Sequence, residues 1–127
     1  MGAGELWARS DVLTILLPKN AATIGMYSSA VLARLKPGMV LINCARGGMV
    51  GEAALAGQLT SGRIAAAAFD VFAVEPADGN PLLELATLFA SPHIGATTQD
   101  SWRAMLRSGL EGIEKAWRPE PDVYPFD

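Results

Sequence analysis

Three residues in this chain have types that combine into one chemistry. Arg46, in Cys44-Ala-Arg-Gly-Gly48, carries a planar guanidinium fork that binds a carboxylate through two hydrogen bonds, and the glycines beside it let a ligand approach the backbone. Glu75 stands before Pro76, and His93 lies in Pro92-His-Ile-Gly95 as the one histidine of the sequence. A carboxylate beside an imidazole favours the imidazolium and fixes the tautomer that faces a substrate. Arg, Glu and His together suit redox chemistry on a 2-oxo or 2-hydroxy acid. The arginine anchors the carboxylate and polarises the carbonyl, the histidine moves the hydroxyl proton, and the glutamate holds the histidine. Each residue alone has a plainer reading. A lone histidine is more often structural or exposed than catalytic, Glu75 read alone is a solvated loop acid, and Arg46 is a surface arginine in an ion pair. Asp70 ends an apolar stretch, an expensive place for an acid unless it binds something.

Position joins these residues. The apolar runs Val12–Leu17, Met39–Cys44, Ile64–Val71 and Thr87–Ala90 predict four short strands. Ser28 or Ser29 starts a predicted helix that runs to Lys36, where Pro37-Gly38 stops it. Glu52–Leu59 predicts a second helix, with Leu55 and Leu59 one turn apart, and Asn80–Leu85 a single helical turn. Trp102, Met105, Leu106, Gly109, Leu110, Ile113, Ala116 and Trp117 recur at helical spacing, with Thr97 and Asp100 resembling a capping box and Arg107, Glu111 and Lys115 spaced for ion pairs. A proline-containing tail follows Arg118-Pro119. This alternation is an α/β fold, an open parallel sheet with flanking helices, and right-handed crossovers put its strands side by side in chain order. Ligands bind beyond the carboxyl ends of such strands. Arg46, Asp70, Glu75 and His93 each follow a strand, so all fall at one edge of the sheet.

Composition narrows the class. The chain has 127 residues, half of them hydrophobic and 18% charged, which is one domain or a piece of one and too apolar for a disordered chain. Such apolar strands suit burial on both faces. The net charge of −3 argues against a basic nucleic-acid surface. No apolar run reaches about 18 residues, so no membrane span is expected, and Met1–Asp11 lacks the basic start and apolar stretch of a signal peptide. The single cysteine, Cys44, rules out an internal disulfide and a cysteine-rich zinc site, suggests no metal, and fits a cytoplasmic location.

The blocks Leu41–Gly48, Ala68–Pro76, Asn80-Pro-Leu82 and Ser91–Ala96 resemble the signature blocks of the D-isomer-specific 2-hydroxyacid dehydrogenases, most of all the D-3-phosphoglycerate dehydrogenase branch. The resemblance covers about residues 10–117. It implies an NAD-dependent oxidoreductase that transfers a hydride between NAD and a D-2-hydroxy acid. On it, Arg46 is the substrate-orienting arginine, Glu75 and His93 are the acid–histidine pair, and Asp70 lies near the nicotinamide end of NAD. Leu17, Cys44 and Ala45 line the cofactor mostly through backbone, Cys44 without acting as a nucleophile, and Ile94, Gly95 and Ala96 close over the nicotinamide beside Arg46 and His93.

Two departures from that family pattern stand out. Gly51 replaces a usual aspartate, a change expected to affect helix capping more than chemistry. The Gly-rich phosphate loop and the acidic ribose contact are missing, because Gly2-Ala3-Gly4 is followed by Trp7 where the third glycine belongs. Residues 1–127 therefore read as half of a Rossmann-type doubly wound NAD-binding domain, with 97–127 as its last helix and tail. NAD binding by this chain alone is expected to be weak or absent, and an exposed strand edge predicts a homo-oligomer. Three roles stay open: a fragment of an enzyme, a non-catalytic half-Rossmann module that binds a nucleotide or assembles with another chain, and a stable remnant with no function of its own.

Overall fold

In the computed structural model, which describes residues 2–114, four parallel strands form one sheet in chain order. They are β1 (Val12–Ile15), β2 (Met39–Asn43), β3 (Ile64–Phe69) and β4 (Leu88–Ala90). Between them run α2 (Ser29–Leu32), α3 (Glu52–Thr60) and a 3₁₀ turn (Pro81–Glu84), while α1 (Ala3–Arg9) precedes the sheet. The register pairs Ile15 with Asn43 and Asn43 with Phe69, so the first three strands end level. That places the loops after β2 and β3 side by side.

Burial alternates along the strands. Leu13, Ile15, Met39, Leu41, Ile64, Ala67 and Phe69 face a core that includes Leu32, Leu35, Leu55 and Leu59. The other face is only half covered: Val12 and Phe89 are exposed, and Val40 and Ile42 are intermediate. Burial of the central strands on both faces, expected from composition, is thus only partial in β2 and β3, where Val40, Ile42, Ala66 and Ala68 are intermediate and Ala65 is exposed. Runs of apolar residues do not distinguish a strand with two covered faces from one whose second face is partly open.

Several element bounds also differ from the sequence reading. β1 ends at Ile15 and not at Leu17, because its partner strand ends at Asn43 and leaves Leu16 and Leu17 without a ladder. β3 ends at Phe69, and Asp70 begins the loop, its N–H still bonded to Asn43 O at 3.0 Å. The helix expected to reach Lys36 is regular only to Leu32. Arg34 and Leu35 then bond back three residues, tightening the chain into turns before Pro37. α1 was not foreseen. No residue of it is fully buried, but Trp7 packs edge-on to Tyr27 with ring centroids 6.2 Å apart and lies under the Arg34 guanidinium.

The chain divides into two units after His93. In the second, α4 (Gln99–Glu114) carries the foreseen apolar stripe, and Trp102, Met105, Leu106, Leu110 and Ile113 are all exposed. Its cap is Thr98 and not Thr97: the Thr98 Oγ1 accepts the Ser101 N–H at 3.1 Å. A threonine caps through the N–H three residues on, and the helix begins at Gln99, which makes Thr98 the boundary residue. Lys115, Ala116, Trp117 and the tail lie outside the described residues.

Candidate active site

The loop after β2 is shaped by a buried polar side chain. Asn43 is 1% exposed; its Oδ1 accepts the Ala45 N–H at 3.1 Å, and its Nδ2 donates to Arg46 O at 3.2 Å. These bonds fold Cys44–Arg46 back over the strand end, burying Ala45 and exposing Cys44 and Arg46. Arg46 Nη1 donates to Ala45 O at 2.7 Å. Gly47 then meets the next loop: a Cβ there would stand 1.7 Å from Phe72 O. Only a glycine permits that approach.

The loop after β3 begins with Asp70, 8% exposed, whose Oδ1 accepts the Ser91 hydroxyl at 2.6 Å. Two residues on, the Phe72 N–H donates to Glu75 Oε1 at 2.9 Å. The other oxygen, Glu75 Oε2, lies 2.7 Å from His93 Nδ1. A carboxylate only accepts, so Nδ1 carries the proton and Nε2 is the ring nitrogen available for proton exchange with a bound molecule. The His93 hydrogen bond, with help from Phe72 N–H, holds the Glu75 carboxyl below its ordinary value of 4.5.

His93 is presented by a pinned turn. Ser91 N–H donates to Phe69 O at 2.9 Å, Ser91 Oγ binds Asp70, and Ser91 O accepts the His93 N–H at 3.0 Å. His93 itself has φ +53°, a left-handed conformation uncommon outside glycine. Backbone held this way concentrates at functional positions. Asp70, Phe72, Glu75, Ala90, Ser91 and His93 line part of a cleft of about 560 Å³, a size usual for small-molecule sites.

The structure therefore brings Glu75 and His93 into contact and sets Asp70 on the wall of the same cleft. Arg46 does not line the cleft or bond to that pair. It is linked to them through Gly47, Phe72 and Glu75 in sequence of contact. Leu17, 43% exposed, and Cys44 stand at the carboxyl ends of β1 and β2, and Ala45 is buried beneath Arg46. Ile94, Gly95 and Ala96 belong to the second unit, where Ile94 O and Ala96 O accept the N–H groups of Thr97 and Thr98. Asn43 and Ser91 went unnoticed in the sequence. Asn43 carries the signal that singled out Asp70, a polar residue ending an apolar strand, and Ser91 sits two residues before the histidine.

Residues 1–95 match the D-isomer specific 2-hydroxyacid dehydrogenase family over its NAD binding domain. This chain belongs to that family. Among relatives of this dehydrogenase domain, D-3-phosphoglycerate dehydrogenase of Mycobacterium tuberculosis is 46% identical over 110 residues, 87% of this chain and 20% of the relative. A glyoxylate reductase from Paecilomyes thermophila superposes with a TM-score of 0.84 at 35% identity, covering 89% of this chain and 34% of that one. A D-isomer specific 2-hydroxyacid dehydrogenase from Xanthobacter autotrophicus, solved in complex with NADPH and MES, gives 0.77 at 33% identity over 96% of this chain and 51% of its own. The chain thus spans about a fifth of the length of the first of these relatives. No helix among its described residues is long and apolar enough to cross a membrane.

Proposed function

We propose that this chain supplies the proton-handling half of a D-2-hydroxyacid dehydrogenase site. The observation that carries this is the 2.7 Å contact of His93 Nδ1 with Glu75 at the carboxyl end of the sheet. Glu75 holds the ring with its proton on Nδ1. His93 Nε2 takes the hydroxyl proton as a 2-hydroxy acid is oxidised and returns it when a 2-oxo acid is reduced. Arg46 binds the substrate carboxylate through its fork. The kinship with D-3-phosphoglycerate dehydrogenases makes 3-phosphoglycerate the first substrate to try.

The residues present fit the nicotinamide end of NAD. Asp70 is a buried carboxylate on the cleft wall, and Leu17 and Cys44 offer exposed surface at neighbouring strand ends. Leu17, Cys44, Ala45 and Asp70 would hold that end. When bound, the nicotinamide accepts or supplies the hydride. The Gly-rich loop that grips the pyrophosphate is not among these residues, so binding by this chain alone is weak.

The test has two parts. Calorimetric titration of the 127-residue chain with NAD is expected to give weak or no binding, and submicromolar affinity would contradict the proposal. In an enzyme completed with the remaining parts of a relative, His93→Ala should lower kcat by about 10²–10⁴ while leaving NAD affinity within a small factor. Equal losses in both would remove His93 from the chemistry.

A second reading, an assembly module, draws on the outer edge of the sheet. Among the described residues β1 pairs only with β2, and Val12 and Leu16 are 55% and 72% exposed. Such an edge is a template for another strand, so a homo-oligomer, the twofold dimer being the commonest, belongs to this proposal together with a cytoplasmic location.

A further inference from the structure

We propose that Glu52 is a positioning residue, whose single carboxylate staples both ends of the loop that presents Glu75 to His93. This rests on the reading of Glu75 and His93 as the proton-handling pair. Glu52 lies in the first turn of α3, where a carboxylate is favoured by the helix dipole. Its Oε1 accepts the Ala73 N–H at 2.7 Å and its Oε2 accepts from Asn80 Nδ2, also at 2.7 Å. Hydrogen bonds to a carboxylate are the stronger kind.

The two points of attachment bracket Glu75. Ala73 follows Phe72, whose N–H is the second bond to Glu75. Asn80 closes the far end: its N–H donates to Ala77 O at 3.0 Å, and its Oδ1 accepts the Leu82 N–H at 3.0 Å. That second bond engages the amide oxygen and leaves the NH₂ group to face Glu52. Residues 73–80 carry few other ties, and Val74, Asp78 and Gly79 are exposed. Without Glu52, the Phe72–Glu75 turn would keep its own hydrogen bond and lose the anchors that aim it at His93. The carboxylate acts on the histidine only through the loop.

One histidine in the sequence makes the test direct, because ring signals from a chain labelled with ¹³C,¹⁵N-histidine need no assignment. At alkaline pH the neutral ring of the native chain should be mainly the Nδ1–H tautomer. Glu75→Ala should convert it to mainly Nε2–H, the form preferred by imidazole without a partner. Glu52→Ala should also make Nε2–H the larger population, and Glu52→Gln, which keeps one acceptor oxygen, should give a smaller conversion. Leu59→Ala, a destabilising change on the same helix with no tie to the loop, should leave the tautomer as in the native chain. Glu52→Ala with the native tautomer overturns the proposal and leaves the pair intact. An equal conversion in Leu59→Ala overturns it too, because general loosening would then suffice. An unchanged tautomer in Glu75→Ala overturns the reading of the pair beneath it. Should Glu52→Ala not fold, Asn80→Ala, which deletes one of the two anchors, carries the same comparison.

Discussion

The loops at the carboxyl ends of β1 and β3 leave one sheet at the same level and are finished in opposite ways. After β3, a short stretch ties Phe72 to Glu75 within itself and engages Asp70, Ala73 and Glu75 with partners from two other segments, the start of α3 and the loop after β4. After β1, Leu16 and Leu17 run out exposed. Regular structure resumes only at the Asn20–Thr23 turn, which is closed by its own side chains. One end is a set of fixed polar groups around a cleft, and the other is bare apolar surface. The contrast teaches that the Glu75–His93 geometry is set within the loops that follow β3 and β4 and the start of α3. The strand on the far side depends on what else meets it.

The sharpest way to break the fixed end is Gly47→Ala. The added methyl would meet the Phe72 carbonyl, so one loop must move. A loss of about 1–3 kcal/mol is expected in urea denaturation. Unchanged stability would mean the loops are not held together as described.

At the bare end the expected effect is on mass. The native chain should self-associate at micromolar concentration, and Leu16→Lys should return it toward monomer, since charge blunts an open edge. Sedimentation equilibrium decides it, and a native chain that behaves as a monomer near 13.4 kDa would show that the edge is covered.

Acid titration sharpens the fixed end more gently. The native Glu75 carboxyl sits below its ordinary 4.5, so its stabilisation is complete above that pH and is lost as pH falls through the lower native value. The stability difference between the native chain and Glu75→Gln should therefore shrink as pH falls below 4.5. A difference that stayed constant down the acid limb would deny the shift.

The smallest effect is at the start of α3. Gly51 is the cap and makes no side-chain bond, and a Cβ there would meet only ordinary contacts at 3.7 Å. Gly51→Asp should stabilise by a few tenths of a kcal/mol, measurable as a small rise in denaturation midpoint.

What the sequence made legible follows the range of the forces involved. Apolar runs bounded by turn residues announced the four strands, and handedness alone ordered them. The juxtaposition of Glu75 and His93 was legible because each follows a strand and those strands are neighbours. The end of β1 was not legible, because it is decided by where β2 stops. The acid three residues after Thr97 points to that residue as the cap, whereas the start of the helix at Gln99 gives the role to Thr98. α1 escaped notice because its anchor, Trp7 on Tyr27, joins residues distant in the chain. Asn43, Ser91 and Glu52 were missed for the same reason: each is an unremarkable polar residue until its partners are known.

The contact of Gly47 with Phe72 and the two anchors of Glu52 also govern where the chain can change length. Between Asn43 and Gly47, or between Asp70 and Glu75, one inserted residue would shift a group out of reach of its partner. Between Pro76 and Gly79 the chain arcs from one anchor to the other, with Asp78 and Gly79 exposed and Gly79 already at φ +74°. Added residues there would lengthen a surface arc, and doubling a flexible loop costs only about 0.6 kcal/mol. Insertions and deletions inherited by this lineage should therefore collect in that arc and spare the two short loops beside it.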